Sequence, residues 1–147
     1  MLSDPFVPEL FFAGGTELAP PASKHLQYEF QDADVDRGWI RTRFTPRPEF
    51  LNPAGLVQGG FLVAMLDDTM GPAVLVKSRG KYMTASVDIH AHFLRPVKPE
   101  AVYCEAEVTQ MGRTIAYIEG KLFDARQRLC VRCVSSAMIM KFPERQK

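Results

Sequence analysis

Cysteine is scarce in this chain and odd in number, being limited to Cys104, Cys130 and Cys133. That count excludes the disulfide framework of a small secreted domain. Cys130 and Cys133 have the C-x-x-C spacing of a redox pair or half a zinc site, but they fall in Leu129 to Met140, whose composition predicts a strand. Residues three apart on a strand point to opposite faces, and no second pair or nearby histidine completes four ligands, so a structural role is expected. An excess of one charge is missing too. Eighteen Lys and Arg against 17 Asp and Glu leave a formal net charge of +1, which gives no electrostatic footprint for nucleic acid. No apolar run reaches the length of a membrane span, and no basic start leads into an apolar core. The expectation is a cytoplasmic protein with neither nucleic-acid nor membrane partners. Gly-rich phosphate loops, serine nucleophile elbows and zinc-hydrolase motifs are also absent.

What is present fits one globular domain: 147 residues, 46% hydrophobic and 24% charged. Residues 1–23 are rich in Pro, Gly and Phe and predict an irregular N-terminal arm lying on the body, with a single domain over 24–147. That domain is organised around the stretch from Asn52 to Gly71. It begins as a loop with Asn, Pro and Gly, passes through the Gly59-Gly60 pair and becomes an apolar helix running to about Ser78. Phe61, Leu62, Met65, Leu66, Met70, Ala73 and Val76 cover most of the helical wheel, so the helix should be buried. Gly60, Ala64, Asp67 and Gly71 share a narrow stripe of small side chains plus one carboxylate, where another helix or a ligand could approach the backbone. Burial there would raise the pKa of Asp67 and make it a better base, whereas the plainer alternative is a solvated residue like Asp68.

Strand patterns occupy most of the remainder. His25 to Asp34 and Trp39 to Phe44 flank a charged turn and predict a hairpin. Met83 to Phe93 alternates, with Met83, Ala85, Val87, Ile89, Ala91 and Phe93 on one face and Thr84, Ser86, Asp88, His90 and His92 on the other. Ala101 to Thr109, Thr114 to Phe123 and Leu129 to Met140 continue as an antiparallel meander. One apolar helix and about six antiparallel strands close a core only if the sheet curls around the helix, which is the α+β hotdog arrangement. His90 and His92 could form half a metal site, but no third ligand has a spacing that assigns it, so no metal is expected.

Asn52, the Gln58-Gly59-Gly60 triplet, Asp67 and Gly71, followed by Phe93-Leu94-Arg95-Pro96 and Gly112-Arg113, resemble the PaaI-like hotdog acyl-CoA thioesterases. That family includes phenylacetyl-CoA, hydroxybenzoyl-CoA and medium- to long-chain acyl-CoA hydrolases, and the resemblance runs from His25 to Met140. It implies Asp67 as general base or nucleophile, the amide of the glycine that opens the helix, taken as Gly60, as oxyanion donor, and Asn52 orienting water or acyl group. Ser86, or Thr84 one step away, would supply an auxiliary hydroxyl, and Gly59 would lie against the substrate. Most of the family has His where this chain has Gln58. Glutamine positions by hydrogen bonds but carries no proton, which argues against a hydratase and makes a non-enzymatic acyl-CoA-binding protein the alternative to a hydrolase. Arg95, Lys98 and Arg113 are candidate partners for the phosphates of coenzyme A, here part of the substrate and not a bound cofactor.

Geometry adds an expectation of its own. Gly60 and Asp67 lie roughly 10 Å apart along one helix, too far to act on one carbonyl. An antiparallel helix from a second subunit would bring its Asp67 beside this Gly60, which predicts a homodimer with composite sites, or a homotetramer built from two such dimers.

Overall fold

The computed structural model describes residues 5–12 and 19–143. Short helices α1 (Pro8–Phe12) and α2 (Pro21–Leu26) precede strands β1 (Glu29–Asp34) and β2 (Trp39–Phe44). A 3-10 turn at Pro48–Phe50 leads to the long helix α3 (Gly59–Lys77), followed by β3 (Tyr82–Phe93), β4 (Val102–Met111), β5 (Ile115–Phe123) and β6 (Leu129–Lys141). The six strands form one antiparallel sheet in the order β1-β2-β4-β5-β6-β3, with α3 packed on its inner face. This is the hotdog architecture expected from the element count.

The reason is the helix. Leu62, Met65, Leu66, Met70, Ala73, Val74 and Val76 are all buried, and each large apolar side chain among them contributes about 1.5–3 kcal/mol by leaving water. By length and composition alone α3 could cross a membrane, contrary to the expectation that no run is long enough. Its packing against β2, β3, β4 and β5 identifies it instead as the core helix inside the sheet. The sheet matches it by strict alternation: Ile40, Thr42 and Phe44 of β2, Val102, Cys104, Ala106 and Val108 of β4, and Val131, Cys133, Ser135 and Ala137 of β6 all face inward. Gly120 of β5 permits the closest contact, since a Cβ there would sit 2.7 Å from Cys133 Sγ and 3.2 Å from Met70 Sδ. All three cysteines are free and buried. Cys130 and Cys133 are both in the interior, rather than on opposite faces, because the β5–β6 ladder slips between Leu122 and Phe123.

Two further expectations are corrected. The described part of the arm is helical rather than irregular, and His25 and Leu26 belong to α2, not to the first strand. Its aromatics do lie on the body, as anticipated: Phe12 stacks on Phe30 at 5.1 Å, and Phe11 meets Phe142 edge-on at 6.0 Å. The second correction concerns β3. Its ladder with β6 shifts between Ser86 and Asp88, making Val87 a bulge that reverses the alternation. Thr84 and Ser86 therefore share the inner face with Ile89, Ala91 and Phe93, whereas Asp88, His90 and His92 face outward.

Candidate active site

The bulge is what delivers Ser86 to α3. Its Oγ donates to Asp67 Oδ1 at 2.7 Å. One turn further along, Gly71 admits the strand, since a Cβ there would lie 3.4 Å from Thr84 Oγ1. The stripe of small residues on α3 is thus met by a strand, neither a helix nor only a ligand.

Beside this pair opens a chamber of about 940 Å³, in the size range of sites for drug-sized ligands. It occupies the gap between the two edges of the sheet, β1 and β3, with the arm closing its far side. Ala64, Asp67, Asp68, Gly71, Pro72 and Leu75 supply one wall, and Phe11, Phe12, Leu26, Tyr28 and Phe30 much of the other. Its ionisable residues other than Tyr28 are all acidic, namely Glu9, Glu29, Asp67 and Asp68, and none of the described residues lining it is cationic. Met83 is among the apolar residues that line it. Met65 is core, Phe61 stacks on Phe50 at 4.1 Å, and Tyr82 packs against the core.

Burial perturbs the carboxylate of Asp68. In the single chain Asp67 is exposed, whereas Asp68 is largely enclosed; burial pushes its pKa up, the bond from Ser23 works against that, and the charge of Asp67 adds to it. Ser23 Oγ donates to Asp68 Oδ1 at 2.9 Å, while Asp68 Oδ2 and the Tyr28 hydroxyl are buried and find no partner among the described residues. Burial likewise holds the Tyr28 phenol protonated. Pro72 has no N–H to give the Asp68 carbonyl one turn back, so α3 also carries a free backbone acceptor here. Asp68, expected from the sequence to be solvated, is enclosed instead, and nothing in the sequence distinguishes it from Asp67 in this respect.

The loop before α3 is built to aim the helix N-terminus. Asn52 Oδ1 accepts from the Ala54 and Leu56 amides at 3.0 and 3.1 Å, and the Asn52 amide donates to the Leu56 carbonyl at 2.7 Å. Asn52 thus organises the turn into which its carbonyl-oxygen end is locked. Val57 and Gln58 amides donate to Val97 and Phe50 carbonyls at 2.9 and 2.8 Å. The helix opens at Gly59, one residue earlier than the oxyanion assignment to Gly60 supposed, with Gln58 as N-cap making no side-chain capping bond. Phe61 and Leu62 amides already turn back to the Gln58 carbonyl, so Gly59 and Gly60 carry the free N–H groups of the first turn. Phe93 covers Gly59, its ring 3.1 Å from where a Cβ would be, and among the described residues nothing lies within 4 Å of a Cβ at Gly60.

These pieces do not converge within one chain. Asp67, Ser86 and Thr84 line the chamber; Asn52, Gln58, Gly59 and Gly60 do not. Arg95 sits at the Gly59 end of the sheet, its Nη1 donating to the Leu129 carbonyl at 3.0 Å. Arg113, in the β4–β5 turn, lies beyond the level of the Ile115–Met138 pair, whereas Phe93 is at the level of Val131. Seven strand residues at about 3.4 Å each separate the two levels by roughly 24 Å. Among the described residues no cluster of three or more metal-ligating side chains occurs.

Comparison with known proteins places this geometry. Residues 54–131, more than half of the chain, match the family model of the thioesterase superfamily. A protein of Thermoplasma acidophilum provisionally named an esterase is 20% identical over 113 residues, covering 77% of this chain and 85% of its own. A crystal structure of a phenylacetic acid degradation-related protein of Ralstonia eutropha JMP134, assigned as a thioesterase, superposes with a TM-score of 0.79 at 26% identity, covering 89% of this chain and 98% of that one. The E. coli PaaI protein from the phenylacetic acid degradation operon superposes with a TM-score of 0.74 at 16% identity, covering 90% and 94%. The chain therefore belongs to the thioesterase superfamily and is a PaaI-like hotdog thioester hydrolase.

Proposed function

We propose that this protein hydrolyses an aryl- or fatty acyl-CoA to the free acid and coenzyme A, with no bound cofactor, at two composite sites of a homodimer. The observation that carries the reading is the Ser86–Asp67 pair at the side of a mostly apolar-walled chamber. An acyl group in the chamber would hold its thioester beside Asp67. Water, deprotonated by Asp67, attacks the carbonyl carbon; the C–S bond breaks, and the thiolate takes up the proton to leave as coenzyme A. In the nucleophile variant, the Asp67 carboxylate attacks first and water then cleaves the resulting anhydride. Either route develops negative charge on the carbonyl oxygen, for which the free Gly59 and Gly60 amides at the positive end of α3 are suited. Asn52 and Gln58 support the loop and the helix entry beside them.

Supporting the dimer, β3 is a twelve-residue edge strand. Such an edge presents a row of unpaired backbone donors and acceptors that soluble proteins normally cover. Pairing β3 with its two-fold copy would set the two α3 helices antiparallel and bring Gly59 and Gly60 of one subunit towards Asp67 of the other. Two of the structural relatives are linked by name to phenylacetic acid degradation, which favours including aryl substrates in the test. Thiol release from phenylacetyl-, benzoyl-, short-, medium- and long-chain acyl-CoA is expected for at least one class. Failure with every thioester in that panel would overturn the acyl-CoA reading.

A further inference from the structure

The outer face of the sheet carries an unusual row of charge. Reading across the strands in register, Arg41 lies opposite Glu105, Glu105 opposite Lys121, Lys121 opposite Arg132, and Arg132 opposite His92. At one end of the row Arg41 is already paired to Glu105 at 3.0 Å. The other end leaves Lys121, Arg132 and His92 side by side on three adjacent strands, all exposed, and neither Lys121 nor Arg132 has a carboxylate partner among the described residues. The nearest other carboxylate in register is Glu119, which pairs with Val134 and is therefore diagonal to Arg132. Like charges directly opposite on neighbouring strands destabilise a sheet, and Lys121 and Arg132 form such a pair, so an anion lying across the two would relieve their repulsion.

Its position says which anion. Successive strand residues point to opposite faces, so His92 and Phe93 place the row and the covered Gly59 on the two sides of the same strand end. Arg95 lies at that rim as well, anchored to the Leu129 carbonyl. A ligand reaching from the N-terminus of α3 over the rim would meet Arg95 and then the row.

We propose that Lys121, Arg132 and His92, continued by Arg95, bind the nucleotide phosphates of the coenzyme A moiety on the outer face of the sheet. This rests on the acyl-CoA reading above and assigns residues on two strands, β5 and β6, that supply nothing to the chamber. Arginine offers phosphate a forked pair of charge-assisted bonds, with lysine as a point charge beside it.

The test uses coenzyme A itself as the probe, titrated into the full-length protein, with Arg132→Ala, Lys121→Ala and the double variant. Each single change should weaken binding by about tenfold, and the affinity of the native protein should fall steeply with added salt. Lys141→Ala, an exposed cation at the opposite end of β6, should bind as the native protein does. Kinetically, Arg132→Ala should raise KM for an acyl-CoA more than for the same acyl group on N-acetylcysteamine, which lacks the phosphates. Coenzyme A affinity indifferent to both Arg132 and Lys121, or an equal KM change on the two substrates, overturns the site. If row-dependent coenzyme A binding persists but no thioester is turned over, the site stands and the hydrolase reading falls; turnover with row-independent binding does the reverse.

Discussion

Asp67→Asn should lower kcat for thioester hydrolysis by about a hundred- to ten-thousandfold, the range expected for loss of a positioned general base. The substitution is close to isosteric. Its remaining carbonyl oxygen can still accept the bond that Ser86 Oγ now gives at 2.7 Å, and Asp67 is exposed in the chain, so the fold has little reason to respond. KM should move far less than kcat, because the walls of the chamber are untouched. The informative comparison is Asp68→Asn. Asp68 lines the same chamber and is the more buried of the two, but it is bonded to Ser23, not to the hydroxyl of β3. If Asp67→Asn turns over substrate as fast as the native enzyme, the catalytic carboxylate is not Asp67, and Asp68 becomes the group to examine.

A larger claim about architecture is that two inactive variants should repair one another. Gly60→Pro removes one of the two free amides at the start of α3, at a position in the first turn where proline is tolerated and where none of the described residues crowds a Cβ. Loss of an oxyanion donor should reduce kcat by about a hundred- to a thousandfold. Mixed with Asp67→Asn and allowed to exchange subunits, it should recover about a quarter of native activity, because half the dimers would be mixed and one of their two sites would be intact. Sites confined within one subunit would show no recovery at all. That result would be hard to reconcile with the roughly 10 Å between Gly60 and Asp67 along their shared helix, and it would remove Gly60 from the site.

Much of the fold was legible because one element dominates it. A helix apolar on nearly every face has to be enclosed, and the inward alternation of β4 could be read directly from Val102, Cys104, Ala106 and Val108. The failures came where one residue breaks a period. Strict alternation put Ser86 with His90 and His92, on the face away from Ala91; only the bulge at Val87 sets it opposite Asp67, and Val87 is chemically an ordinary strand residue. Similarly, Asp67 and Asp68 are adjacent and identical in kind, so composition gave no reason to expect that Ser23, 45 residues away, would enclose one and not the other. The chamber was illegible for a related reason: its outer wall is the arm, and nothing in Phe11, Phe12 or Phe30 specifies which gap in a sheet they will close.

The acid-lined chamber also treats reactant and product differently. On the proposed mechanism a thioester would enter it without charge, whereas the acid that hydrolysis produces, ionised at neutral pH, would meet Glu9, Asp67 and Asp68, with Glu29 already paired to Arg43 at 2.6 Å and none of the described lining residues cationic. Opposition between like charges in a partly dry space is strong. Cleavage would thus convert a ligand that fits into one that is repelled, so that the reaction drives its own clearance, with weak inhibition by the free acid as the sign.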